Sequence, residues 1–340
     1  MRLATLALLC ALPAAAHAYD TLSVAACHKQ KAFPSDIPAG NYSGIAWLGG
    51  DRYAVANDKA GRPGFHIFEI SIDGATGEIL SARDTGFRGG KPENRDDEGI
   101  AYSKATGTVF ISGELGAAIE EFDTLGNKTG RRAAVPGIYS KARRNRSLEA
   151  LSYNDATETL WTCNEAPLYG DGEPPSPQNG EKGMVRLQSF GAGLQPLAAY
   201  AYQMDAPVEK RAGMSTHTIG VPAIAALDDG SLLVLERELC VPRGNIGSYV
   251  NCKIYQAFPS EKALCDTAKA LPQGCVAAEK ALVAQWRTRF NLTSRSFANY
   301  EGMCIGPELV NGGVALILVA DSQNRYKGLL KDRLRTIVLR

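Results

Sequence analysis

Asn299-Tyr300-Glu301-Gly302-Met303-Cys304 is followed by the apolar run Val314 to Ala320 and then by Asp321-Ser322-Gln323-Asn324. The stretch reads as a carboxylate and a glycine opening a strand, a turn, a second strand, and a carboxylate where that second strand ends. The phrase recurs upstream. Asp97-Glu98-Gly99-Ile100-Ala101 leads through Thr108-Val109-Phe110-Ile111-Ser112 to Glu114. Ser147-Leu148-Glu149-Ala150-Leu151 leads through Thr159-Leu160-Trp161-Thr162-Cys163 to Glu165. Two further copies run from Ser43-Gly44-Ile45-Ala46 to Asp58 and from Pro222-Ala223-Ile224-Ala225 to Glu236.

Unit starts at 43, 98, 149, 222 and 301 are separated by 55, 51, 73 and 79 residues. Between them lie short apolar runs and turn signals such as Asp73-Gly74 and Asp229-Gly230, with almost no helical periodicity. Repeats of about 40–50 residues built from four strands are the signature of a β-propeller. The expectation is an all-β propeller with five visible four-stranded repeats. A sixth blade is expected in 184–217 or 253–290, where the phrase has decayed. A two-sheet sandwich would also use these strands, but it gives no reason for the recurring acids.

Residues 1–18 read as a signal peptide: Arg2, an apolar run from Leu3 to Leu12, and the small-x-small site Ala16-His17-Ala18. The expectation is therefore a secreted or periplasmic protein, with residues 19–340 forming one propeller domain that carries a cysteine-containing insertion around 240–290. No later stretch is apolar for the roughly 18 residues a membrane helix needs. In an oxidising compartment Cys240 would pair with Cys252, and Cys265 with Cys275. Thirty-seven basic residues against 36 acidic ones, a formal charge of +1, argue against nucleic acid as a partner. The chain has no Gly-x-Ser-x-Gly elbow, P-loop or dinucleotide fingerprint. His28, His66 and His217 stand singly, and each reads as structural; only His217 precedes a unit closely enough to approach an axis. A monomer is expected.

The acids carry the functional argument. In a propeller the first strand of every repeat lines the central axis, so one repeat position maps onto one ring. Glu98, Glu149 and Glu301 share the first position, with Ser43 and Pro222 in the other units. Asp58, Glu114, Glu165, Glu236 and Asp321 share the second, 14 to 20 residues later. A single Glu-Gly is ordinary turn chemistry; three in register point to a shared site. Up to eight carboxylates would converge, and such a cluster must take up protons, pair with bases or bind a hard cation. Arg146, Arg237 and Arg325 neighbour the acid positions. Asn57, Asn164 and Asn324 add amide oxygens. An all-oxygen set suits calcium, and the scarcity of histidine and of closely spaced thiols disfavours zinc or copper.

Asp97-Glu98-Gly99-Ile100-Ala101, Asn145-Arg146-Ser147-Leu148-Glu149-Ala150-Leu151, Leu233-Val234-Leu235-Glu236-Arg237 and Asn299-Tyr300-Glu301-Gly302-Met303 together resemble the phytase-like family, described by its esterase-like activity of phytase. The likeness spans about residues 40 to 338. It implies a secreted or periplasmic propeller that hydrolyses phosphoesters or carboxylic esters. The expected reaction uses calcium, with Glu98, Glu149, Glu301 and Asp321 as ligands or general base. Arg146 and Arg237 would steady a small anionic substrate. Two rivals stay open: a lactonase of the gluconolactonase-like type, and a non-catalytic binding propeller whose acid ring is structural.

Overall fold

The computed structural model describes residues 20–93, 95–209, 214–291, 293 and 295–340, so the proposed leader lies outside the described residues. The N-terminal segment supplies β1 (Val24–Cys27) and β2 (Lys31–Ala32). The first blade is β3 (Tyr42–Gly49), β4 (Arg52–Asn57), β5 (Gly64–Ile72) and β6 (Ile79–Gly89). The second comprises β7 (Asp97–Ser103), β8 (Thr108–Gly113), β9 (Ala118–Phe122) and β10 (Lys128–Arg132). The third holds β11 (Leu148–Asn154), β12 (Thr159–Asn164), β13 (Met184–Phe190) and β14 (Pro196–Gln203). The fourth contains the longest strands, β15 (Met214–Ala226), β16 (Leu232–Pro242), β17 (Ser248–Phe258) and β18 (Glu279–Phe290). The last blade joins β19 (Asn299–Glu308), β20 (Val314–Asp321) and β21 (Arg333–Leu339) to β1, which pairs antiparallel with β21.

Five antiparallel sheets therefore form the ring. The inner strands β3, β7, β11, β15 and β19 touch in that order and close back on β3. Pairing of β1 with β21 joins the two ends of the described chain and covers what would otherwise be an open sheet edge. The second strand of each blade is apolar on both faces because a neighbouring blade packs on each side. Ala54 and Ala56 of β4, for example, share a core with Ile100, Val109 and Ile111 of the next blade. Burial of such inter-blade surfaces is the main force holding the ring closed.

There are five blades, and the expected sixth is absent from the described ring. The segments proposed for it belong to outer strands of existing blades: β13 and β14 lie within 184–203, and β17 and β18 take up 253–258 and 279–290. Residues between Phe258 and Glu279 form a long connection, clamped by the buried Arg186. That side chain pairs with Asp171 at 2.7 Å and donates to the carbonyls of Asp266 and Lys269. The expected Cys240–Cys252 and Cys265–Cys275 disulfides are not formed among the described residues. For Cys240 and Cys252 the reason is register. Cys240 faces Tyr249 and Cys252 faces Arg237, so they stand three residues apart along the ladder, about 10 Å, beyond the reach of a disulfide.

Candidate functional site at the blade axis

Every inner hairpin carries a β-bulge at the same place. Tyr42 faces Asn57 and Gly44 faces Ala56, leaving Ser43 as the extra residue. Leu148 faces Asn164 and Ala150 faces Cys163, leaving Glu149. Tyr300 faces Ala320 and Gly302 faces Val319, leaving Glu301. In the second blade Glu98 and Gly99 share the bulge, and in the fourth Val221 and Pro222 do. A bulge re-aims its side chain out of the normal alternation, and here it places the first-position acids together.

The second-position residues lie across the hairpin, two residues before the bulge. Asp58 pairs its N–H with the Asn41 carbonyl, Glu114 with Asp96, and Glu165 with Ser147; Asp321 faces Asn299. In the fourth blade that place faces Gly220, and its partner is Arg237. The assignment of Glu236 to the ring is thereby corrected by one residue. A one-residue step along a strand reverses the side chain's face. Glu236 instead accepts from the Tyr202 hydroxyl at 2.7 Å, the Asp205 N–H at 2.9 Å and Lys280 Nζ at 2.5 Å.

The glycines that follow Ser43, Glu98 and Glu301 have a steric cause. A Cβ on Gly99 would lie 2.3 Å from the Glu149 carbonyl oxygen. One on Gly44 would lie 2.6 Å from the Glu98 carbonyl oxygen, and one on Gly302 would lie 2.9 Å from Gly44 Cα. Inner strands pass nearly in van der Waals contact, so the acids they carry are forced close together.

Arg237 occupies the centre of the charge arrangement. It donates to Glu165 Oε1 at 2.5 Å, to Glu301 Oε1 at 2.5 Å and to Asn299 Oδ1 at 3.0 Å. Asn299 Nδ2 donates back to Glu301 Oε1 at 2.6 Å. Arg146 Nε stands 3.8 Å from Glu165 Oε2, and Lys59 Nζ 2.7 Å from Asp58 Oδ2. Glu114 accepts the Ser147 N–H at 2.9 Å. Among the described residues no donor reaches the carboxylates of Glu98 or Glu149.

Seven carboxylates thus face three cations, and the protonation of six of them responds. Burial, then the charges of Asp58 and Glu301, push Glu98 well above the usual range. Burial, then Glu165 and Glu98, do the same to Glu149. Asp321 is raised by burial and by Glu301. Asp58 and Glu114 are raised chiefly by burial. Burial lifts Glu301 to about 7 against the opposing pull of Arg237. For Arg237 burial works against the charge, but Glu301 and Glu165 outweigh it and hold the guanidinium ionised.

The remaining sequence candidates have other duties. Asn164 caps local backbone, donating to the Ala166 carbonyl and accepting from the Arg186 N–H. Asn57 accepts the Lys59 N–H, and Arg325 reaches the Ile37 carbonyl. His217 pairs with Glu238 at 2.7 Å on the Asn251 side of the fourth blade. Asn299 and Lys59 were missed as members of the cluster, although both adjoin it in sequence. Among the described residues no three His, Cys, Asp or Glu side chains already stand as a metal-holding group. The donor set is nevertheless all hard oxygen, and Glu98 and Glu149 lack donors, so its chemistry fits calcium.

Fold and site define a five-bladed propeller with a mixed acid and arginine cluster around its axis. The chain belongs to the phytase-like family, described as having the esterase-like activity of phytase, whose profile matches residues 37–323. No curated protein matches the chain. Among solved structures it is similar to a streptogramin B lyase at 10% identity, covering 92% of this chain and 98% of that one, with a TM-score of 0.37. It is also similar to regucalcin, a calcium-binding protein of Agrobacterium tumefaciens, at 8% identity, covering 92% and 95%, with a TM-score of 0.38. Hydrazine synthase of Kuenenia stuttgartiensis gives 9%, 87%, 80% and 0.38. Likenesses at this level carry no functional argument.

Proposed function

We propose that this chain is an exported hydrolase that cleaves a phosphoester or carboxylic ester at the axial cluster with the help of calcium. The observation that carries the reading is the pair Glu98 and Glu149, packed among acids with no donor from the protein. Glu98 and Glu149, with Asp321 beside them, would hold the cation, leaving Glu301 as the base. Once bound, it would polarise an ester oxygen and lower the pKa of water.

The protein's own groups supply the rest. Glu301, titrating near 7, is suited to take a proton from an attacking water and return it to the leaving oxygen. Asn299 and Arg237 fix its carboxylate through Oε1. Arg237 and Arg146 place positive charge where negative charge grows on the substrate. The residue 1–18 segment supports export.

A panel of carboxylic esters, lactones and phosphomonoesters, assayed with calcium and with chelator, tests the reading. Turnover that needs calcium and is lost in a folded Glu301→Gln variant supports it. Full activity in chelator removes calcium from the scheme. No turnover on any substrate leaves the chain a binding propeller.

A further inference from the structure

A cleft of about 300 Å³ is lined by residues of the fourth and fifth blades and borders the axial cluster. Leu239 and Val241 of β16, Phe290, Phe297, Leu329 and Leu330 supply its apolar lining. Asn299 and Asp321 line the same cleft. Both belong to the cluster, since Asn299 holds Glu301 and Asp321 is raised by the Glu301 charge. Among the described lining residues Asp321 is the one charged group, and there is no lysine or arginine.

We infer that this cleft holds the apolar group of an uncharged carboxylic ester whose carbonyl lies at the axial acids. The inference rests on the hydrolase reading and narrows it. A charged group seated in the cleft would meet Asp321 and, among the described lining residues, no counter-charge, which is unfavourable at short range. An alkyl or benzyl group instead finds leucine, valine and phenylalanine. The volume is at the small end for ligand sites, which run from about 300 to 1,000 Å³, so one short chain or one ring fills it. Hydrolysis consumes one water: its oxygen bonds the carbonyl carbon, the bond to the alkoxy oxygen breaks, and that oxygen leaves with a proton.

The test uses the chain lacking residues 1–18, in calcium, on p-nitrophenyl acetate, butyrate, hexanoate, benzoate and phosphate. The specificity constant should rise about threefold for each added methylene up to hexanoate. The phosphate should react at least 100-fold more slowly. Val241→Trp, which fills the cleft, and Leu329→Asp, which charges its lining, should each cut the hexanoate-to-acetate ratio at least tenfold. A flat acyl series, a preference for phosphate, or unchanged ratios in folded variants overturns the cleft assignment and leaves ester hydrolysis standing. If no ester is cleaved, N-benzylacetamide titrated by NMR decides separately. Saturable shifts in the wild type, lost in both variants, keep the cleft and sink the hydrolase reading; no saturable shift overturns the cleft as well.

Discussion

Arg237 in the fourth blade donates to Glu165 in the third at 2.5 Å, at the ring position where four other blades present an acid. The same guanidinium reaches Glu301 in the fifth blade. One arginine therefore ties three blades together and neutralises part of an acidic ring.

Arg237→Met should destabilise the fold by about 3–5 kcal/mol at pH 8 in chelator, because it strands buried carboxylates without their partner. Urea unfolding measures this. The loss should shrink near pH 5, where the stranded Glu301 carries a proton. An equal loss at both pH values would mean that Arg237 acts through packing alone.

Stability without calcium should fall as pH rises. Glu301 releases its proton near 4.5 in the unfolded chain and at about 7 in the folded one. Between those values the folded state holds an extra proton. The associated stability is complete below 4.5 and is lost as pH passes 7. The effect is at most about 3 kcal/mol. Glu98, Glu149 and Asp321 are shifted in the same direction. Urea midpoints from pH 5 to 8 should decline in the wild type and decline less in Glu301→Gln.

Calcium should oppose that decline. At one hundred times its dissociation constant, a ligand of the native state adds about 2.7 kcal/mol. Glu98→Gln and Glu149→Gln should lose this response while being more stable than wild type in chelator at pH 8, since each removes one repelled charge. A wild type indifferent to millimolar calcium at pH 8 would leave the cluster to protons and arginine.

Gly99→Ala should cost about 1–3 kcal/mol, the usual range for overpacking, since its Cβ would fall 2.3 Å from the Glu149 carbonyl oxygen. Thermal melts of this variant and of Gly302→Ala should both shift down. A neutral Gly99→Ala would show that the inner strands can separate, and the crowding of the acids would need another cause.

Much of the site was legible because repeated sequence positions become neighbours around a closed ring. The acids at 98, 149 and 301 and their companions at 58, 114, 165 and 321 could be aligned from spacing alone. What misled was the fourth repeat. Pro222 replaces the acid there, and β16 runs on to Pro242, so no chain break marks the ring position. Glu236 and Arg237 differ by one step, which strand alternation turns into opposite faces. A step of 15 residues from Pro222, equal to that from Ser43 to Asp58, lands on Arg237. The missing sixth blade has a similar origin: long outer strands at 184–203 and 248–290 resemble decayed repeats when their pairing is unknown.

The amino-acid order by itself determined that the chain is built of short strands in recurring units and that acids recur within them, because periodicity and turn chemistry are local properties. The number of blades, the entry of β1 into the last sheet, the separation of Cys240 from Cys252 and the choice of Arg237 over Glu236 were decided by the tertiary structure. Each of these depends on which strand pairs with which and in what register. That choice is governed by burial between blades, which sums over residues far apart in the chain and leaves no mark on any single segment.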